Sequence, residues 1–323
     1  MRARTGLSIF CLALTPFGCG ARSEIRGALP DASVDADAHE GDATTSISCE
    51  QGVVQIATTA SQPDTIILDG EWVYWHDATG IFRAKKSGGG TETLAQSAPY
   101  FWPDLVAFAI GGGNLFYGDG DSIVSQGATI GTLPSPGFAA GPSHVFAWSR
   151  DVLPSTLFRY AFDGTGVPTI GQINRKPEEM TFAEGEVPCI AEDPGVECNG
   201  TLLYGLSATD LVVTGKDIWF TSNDATNGAR VLHLWPSFVL TTVDDTTGAF
   251  ALAQDQTDLF FTDGLGLRVR RIDGKTGPVT DIAVVGPDFA PMDIVVDDTC
   301  VYWTSSSRFD KKGAGAVMAG PKK

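Results

Sequence analysis

The sequence predicts an all-β fold, a closed ring of short four-stranded blades, and three observations predict it. An aliphatic residue followed by one or two bulky ones recurs six times: Val73-Tyr74-Trp75, Leu115-Phe116-Tyr117, Val145-Phe146-Ala147, Ile218-Trp219-Phe220, Leu259-Phe260-Phe261 and Val301-Tyr302-Trp303. The flanks of these copies repeat as well, an apolar run before and alternating strands with glycine-rich turns after. No segment carries a helical period.

Within each unit the elements follow in a fixed order. The first strand is an apolar run of modest side chains, as in TIILDG from Thr65, GFAAG from Gly137, LVVTG from Leu211 and DIVVDD from Asp293. Small residues suit the crowded centre of a ring. The second strand is the aromatic one, whose rings fill the layer between neighbouring blades. The third alternates, as in IFRAKK from Ile81, LFRYAF from Leu157 and LRVRRI from Leu267. A glycine turn and a fourth strand close the unit, as in SGGG before TETLA and DGKTG before PVTDIAV.

The anchor residues of the second strands are 42 residues apart (75 to 117), then 30 (117 to 147), 73 (147 to 220), 41 (220 to 261) and 42 (261 to 303). The long step hides a further unit. Met180 to Gly185 fits a first strand, Val187-Pro188-Cys189 a degenerate second and Val196 to Cys198 a third. Asp193-Pro194-Gly195 marks a turn, and Asn199-Gly200 a two-residue hairpin leading to Thr201 to Tyr204. An anchor at Cys189 divides 73 into 42 and 31, so seven blades are expected, with six and a long insertion as the alternative. The last unit reaches Lys323 with three strands, while Val53 to Thr58 is a strand without a unit. The N-terminal strand is therefore expected to complete the last blade, because a ring left open exposes an unpaired edge.

The chain ahead of the ring is different in kind. Arg2 and Arg4 precede an apolar run, Leu7 to Leu14, too short to span a bilayer, which Gly18-Cys19 ends. This resembles a bacterial lipoprotein signal, residues 1–19, and the resemblance implies lipid on Cys19. Pro16 stands where such signals usually carry Leu, so ordinary signal-peptide cleavage is the alternative. Gly20 after the cysteine resembles an outer-membrane address, facing the periplasm or the cell surface. Residues 20–48, with DASVDADAHEGDATTS and His39, are acidic, small and free of aromatics, as befits a disordered tether. Residues 49–323 form the ring domain.

The net charge of −17 argues against nucleic acid and against a basic patch on anionic lipid. Four cysteines, Cys49, Cys189, Cys198 and Cys300, lie beyond the anchor. In an exported chain they suggest two disulfides, with three possible connectivities. Cys189 with Cys198 would close a small hairpin, and Cys49 with Cys300 would then tie the entering strand to the last blade.

VYWTS at Val301, VYWHD at Val73 and Phe260-Phe261-Thr262-Asp263-Gly264 resemble the YWTD repeats of low-density-lipoprotein-receptor β-propellers. The layout over residues 53–320 is similar to exported propellers of the TolB and streptogramin-lyase-like kind. YWTD propellers have six blades, and the count here departs from them. Propeller lactonases and lyases would imply His or Glu with a divalent metal at the channel mouth, for which Glu71, Glu186 and His76 are the residues to test.

Chemistry-bearing patterns are sparse. His76, His144 and His233 sit in distant blades without paired spacing and are expected to pack. Gly118-Asp119-Gly120-Asp121-Ser122 resembles part of a calcium loop without its remaining oxygen ligands, and Asp244-Asp245 and Asp297-Asp298 read as turns. No GxSxG occurs, and Gly88 to Gly90 and Gly111 to Gly113 precede no helix that would hold a phosphate. No catalytic or metal-ligating residue and no cofactor is therefore assigned; a structural divalent cation in the channel stays open. The expected protein is a monomeric, membrane-anchored binding or scaffolding module for a protein or glycan at one face of the ring. The alternative is a lactonase or lyase with a divalent metal in the channel.

Overall fold

The computed structural model describes residues 48–96, 108–141, 143–149, 152–173, 177–183, 187–192, 195–198, 201–204, 208–214, 217–224, 228–234, 240–244, 248–307 and 315–323. Cys19, His39 and Glu186 lie outside these residues. Seven antiparallel four-stranded sheets follow one another along the chain. Blade 1 is Thr65–Asp69, Trp72–Asp77, Gly80–Lys85 and Glu92–Gln96; blade 2 is Phe108–Gly111, Asn114–Asp119, Ser122–Ser125 and Ala128–Thr132. Blade 3 is Pro136–Ala140, His144–Ser149, Ser155–Ala161 and Gly166–Ile173; blade 4 is Pro177–Ala183, Val187–Glu192, Gly195–Cys198 and Thr201–Tyr204. Blade 5 is Ala208–Thr214, Asp217–Asp224, Gly228–Leu234 and Leu240–Asp244; blade 6 is Ala249–Gln254, Leu259–Asp263, Arg268–Ile272 and Val279–Val284. Blade 7 is Phe289–Val296, Cys300–Ser307 and Gly315–Pro321, and its fourth strand is Val54–Thr59 from the other end of the chain. First strands of successive blades touch all the way round, blade 7 against blade 1 included, so the ring is closed. The chain is a seven-bladed β-propeller.

The repeated aromatics do what their pattern demands. Trp75, Phe116, Phe146, Phe220, Phe260, Phe261 and Trp303 are among the largest fully buried side chains. Where an aromatic leans over a first strand, the strand gives way. A Cβ on Gly137 would sit 2.5 Å from a ring atom of Trp148, so only glycine fits there. Blade 4 differs in detail from the sequence expectation. Its first strand begins at Pro177 rather than Met180, and its second continues past Cys189 to Glu192, with Ile190 and Ala191 buried. Pro188 and the flanking acids masked a strand that its two apolar residues hold in place.

The threonine of VYWTS has a structural task. First strands of neighbouring blades do not share a hydrogen-bond ladder, and in blades 5, 6 and 7 each first strand also carries a register shift. Side chains satisfy the backbone that this frees. Thr262 Oγ1 accepts from Ala251 N at 3.1 Å within blade 6 and donates to Met292 O of blade 7 at 2.8 Å. Thr221 Oγ1 likewise donates from blade 5 to Phe250 O of blade 6 at 3.0 Å, and Thr304 Oγ1 accepts from Asp293 N at 3.0 Å. Two aspartates bridge in the same direction: Asp210 accepts from Leu252 N in the next blade, and Asp293 from Ile66 N, at 2.8 Å, across the closure.

The closure has further ties. Val54 pairs with Ala319 and Thr59 with Gly315, with a bulge between Gln55 and Ala57. Ile56 and Ala57 of this strand join Val73, Trp75, Tyr302 and Val317 in one apolar cluster between blades 7 and 1. Ser306 Oγ donates to Pro63 O at 2.8 Å, and Gln62 Nε2 to Ser307 O at 3.1 Å.

Both disulfides pair as the spacing suggested. Cys189 and Cys198 face each other in register across the second and third strands of blade 4, Cα to Cα 4.1 Å. Cys49 bonds to Cys300 across 251 residues, Cα to Cα 6.1 Å, and pins the start of the latching strand to blade 7. Unreduced proteolytic digests should yield these two linked peptide pairs and no others among the four cysteines. Reduction should lower stability chiefly through the long loop, by roughly 5–6 kcal/mol on loop-closure entropy, against roughly 3 for the short one.

Candidate functional site

Each blade runs outward from the channel, so the ring has two faces. First strands begin at the upper face, which also carries the loops between second and third strands. The lower face carries the turns between first and second and between third and fourth strands. Glu71 sits in a lower turn, exposed, with Lys85 at 3.7 Å. His76 lies near the far end of the strand that follows, Trp72–Asp77, five residues on and about 16 Å away along extended backbone. The two cannot share a metal, and the convergence suggested by the lactonase resemblance fails for this pair.

His76 is buried, and its Nδ1 lies 3.0 Å from Asp64 Oδ1. It stands in blade 1 where blades 5 and 6 carry a bridging threonine and blade 7 carries Thr304. Beside it Asp293 accepts both from Ile66 N and, at 2.8 Å, from Ile294 N. Burial pushes the Asp293 carboxyl up to about 7 against the pull of these two donors, with Asp64 adding to the rise. Asp293 thus bridges the blade 7–blade 1 closure, while His76 and Asp64 pair within blade 1.

The remaining sequence candidates also resolve into structure. His233 is 1% exposed and stacks on Trp219, ring centroids 4.3 Å apart. Burial lowers its pKa, opposed by Asp217. Lys275 of blade 6 places its ammonium 4.8 Å from the same Trp219 ring and 3.2 Å from Gln254 Oε1, and burial lowers its pKa. His144 opens a second strand, with Ser143 Oγ 2.8 Å from its Nδ1. Gly118 to Ser122 forms a strand–turn–strand hairpin with Gly120 at φ 57°. Asp245 falls outside the described residues. Among the described residues no group of three or more His, Cys, Asp or Glu side chains is placed to hold a metal ion.

On the lower face, lysines clamp the turns of three blades. Lys86 of blade 1 reaches Asp297 of blade 7 at 2.8 Å, and Lys322 pairs with Asp255 of blade 6 while donating to Asp297 O at 2.9 Å. Burial works against ionisation of both aspartates, but the lysines and neighbouring backbone donors hold each at about 2.

The upper face offers something else. Seven large apolar residues are exposed among the described residues, and five lie there. Val152 and Leu153 occupy the loop between second and third strands of blade 3, 48% and 50% exposed. Phe250, Leu265 and Val284 lie at the upper end of blade 6, 48%, 63% and 71% exposed. Leu265 stands in that blade's loop, and Val285 N donates to Leu267 O at 2.7 Å, which fixes the loop to the strand end. Exposed apolar side chains in two groups, on blade 3 and on blade 6 of one face of a rigid ring, suit a macromolecular partner broad enough to span that face. Pattern reading missed them because a single exposed apolar residue carries no periodic signal; for Val152, Leu153 and Leu265 the position between second and third strands was the available clue.

No protein-family model and no curated protein matches the sequence. Solved structures match in fold. A computationally designed protein, Ika8, is 13% identical, with TM-score 0.54 over 83% of this chain and 98% of its own. The Pan2 WD40 domain of Neurospora crassa is 12% identical, with TM-score 0.58 over 86% of this chain and 98% of its own. The PQQ-bound aldose sugar dehydrogenase of Streptomyces coelicolor is 11% identical, with TM-score 0.51 over 83% of this chain and 98% of its own. The neighbours thus include an enzyme, and identities this low establish the propeller alone.

Two disulfides are the chemistry of an oxidising compartment, outside the cell or in the periplasm. Among the described residues no helix is long and apolar enough to cross a membrane.

Proposed function

We propose that the protein is a non-catalytic binding module, lipid-anchored at Cys19 in the cell envelope, that holds a protein partner over the upper face of its ring. The observation that carries this reading is the exposed apolar set on that face, Val152, Leu153, Phe250, Leu265 and Val284. Two further features support it. The disulfides fit export, and beside the closure Asp293 is spent on bridging blades while His76 pairs with Asp64. A glycan would be the less suited occupant of this face, because these apolar side chains offer it no hydrogen bonds.

The test uses the full chain in its own envelope. Cross-linking followed by affinity capture should recover a partner with the wild type and lose it with Leu265→Ser combined with Val284→Ser, both surface changes expected to leave melting within about 1 kcal/mol. An unchanged capture profile in that variant overturns the upper-face reading. Cys19→Ser should move the protein from the membrane to the soluble fraction; retention there means another anchor. A stoichiometric divalent ion in the purified protein would instead support a metal-dependent lactonase or lyase.

A further inference from the structure

A cavity of about 210 Å³ opens on the lower side between blades 1 and 2, away from the apolar upper face. Its blade 1 wall is a row set by strand register, Tyr74 beside Arg83 and Arg83 beside Glu92. Tyr117, with Leu115, faces it from blade 2. Two turns form the mouth, one at Gly113 with φ 77° and one at Gln126-Gly127 with φ 51° and 75°. A Cβ at Gly113 or Gly127 would meet nothing within 4 Å, so the approach is unobstructed.

The wall chemistry narrows what fits. Arg83 Nε and Nη2 both donate to Glu92 Oε2, at 2.8 and 2.7 Å, and the guanidinium lies 4.2 Å from the Trp72 ring centroid. Its charge is already met, so an anion would have to compete with a carboxylate in place. Burial, helped by Asp119, raises the Tyr117 pKa, so its hydroxyl stays a proton donor at neutral pH. The volume is about seven times the roughly 30 Å³ that one water occupies in the liquid, room for one six-membered ring with its substituents. An apolar ring of that size would strip water from Tyr117, Gln126 and Arg83 without replacing its hydrogen bonds. A ring bearing several hydroxyls replaces them.

We propose that this cavity binds one neutral hexopyranose ring, as a free sugar or as a residue of a glycan. The aromatic and aliphatic walls take the ring's C–H surface, and Arg83, Tyr74, Tyr117 and Gln126 take its hydroxyls. A ligand of about a dozen heavy atoms at ordinary efficiency binds in the millimolar range.

The test is saturation-transfer NMR on the full chain with a panel of neutral methyl hexosides, their matching trisaccharides, the corresponding uronic acids and phenol. Intrinsic fluorescence from Trp72 beside the site gives the second readout. At least one neutral hexoside should bind in the millimolar range, and Tyr117→Phe and Gln126→Ala should each weaken it at least fivefold with unchanged melting. A trisaccharide that binds more tightly than its monosaccharide identifies a glycan residue as the ligand; equal affinity identifies the free sugar. Absence of binding by every neutral sugar, tighter binding of phenol or of the uronic acids, or wild-type affinity in both variants overturns the proposal. None of these outcomes depends on the upper-face partner, because the variants leave Leu265 and Val284 intact.

Discussion

A chain lacking residues 50–60 is expected to melt at least about 10 °C below the intact protein and to associate into larger species. The deletion removes Val54–Thr59, the fourth strand of blade 7, and leaves Gly315–Pro321 as an open edge. It also removes buried Ile56 and Ala57 from the cluster between blades 7 and 1. Burying an isoleucine is worth about 2–3 kcal/mol and each ladder hydrogen bond about 1, so the loss exceeds roughly 5 kcal/mol. At about 2 °C or more per kcal/mol in a domain this large, a drop of 10 °C or more follows. The comparison is made under reducing conditions, with Cys49→Ala and Cys300→Ala in both proteins, so the disulfide is not counted. Deleting residues 20–45, the acidic tract before the domain, should leave the midpoint nearly unchanged. Coincident melting curves for the 50–60 deletion and its parent would sink the closure argument.

How the ring closes was readable because both halves of the signal are local. The strand Val54–Thr59 has β-rich residues and no unit of its own, and the last unit ends one strand short. Seven blades were readable for the same reason, since a second strand at Val187–Glu192 restores the spacing that the 73-residue step breaks. What could not be read is what joins one blade to the next. Thr262 and Asp293 look like ordinary polar residues near turns, yet each contacts a strand about thirty residues on or, for Asp293, at the far end of the chain. Those bonds depend on register shifts in the first strands, which leave no mark in composition. His76 packs, as its isolation from other histidines suggested, but the partner it packs with was not readable. The fold puts it in the threonine position of the repeat and gives it Asp64. The upper-face residues and the lower cavity were beyond reach, because each gathers side chains from loops or from two blades.

Asp293 should make the protein's stability fall between pH 5 and pH 8, and Asp293→Asn should abolish that fall. In the unfolded chain an aspartate titrates near 3.9. In the ring, burial pushes Asp293 up to about 7 although Ile66 N and Ile294 N donate to it. Below about pH 4 the group is protonated in both states and its stabilising contribution is fully present. As pH rises through 7 the buried carboxyl must ionise, and up to roughly 4 kcal/mol is lost. Asp255 and Asp297, held at about 2 by their lysines, act at the other end. Their contribution is present above about pH 4 and is lost as pH falls through about 2. Buried His233, with its lowered pKa, opposes Asp293 within the upper window, since the unfolded chain takes up a proton there that the ring refuses. The readout is therefore the difference between wild type and variant. Asparagine keeps one acceptor and strands one N–H, so the variant should be about 1–3 kcal/mol less stable at pH 5. That deficit should shrink or reverse by pH 8, because only the wild type must then carry a buried charge across the closure of the ring. A difference that stays constant from pH 5 to pH 8 would show that Asp293 does not titrate in this range, leaving its bridge to Ile66 as its whole contribution.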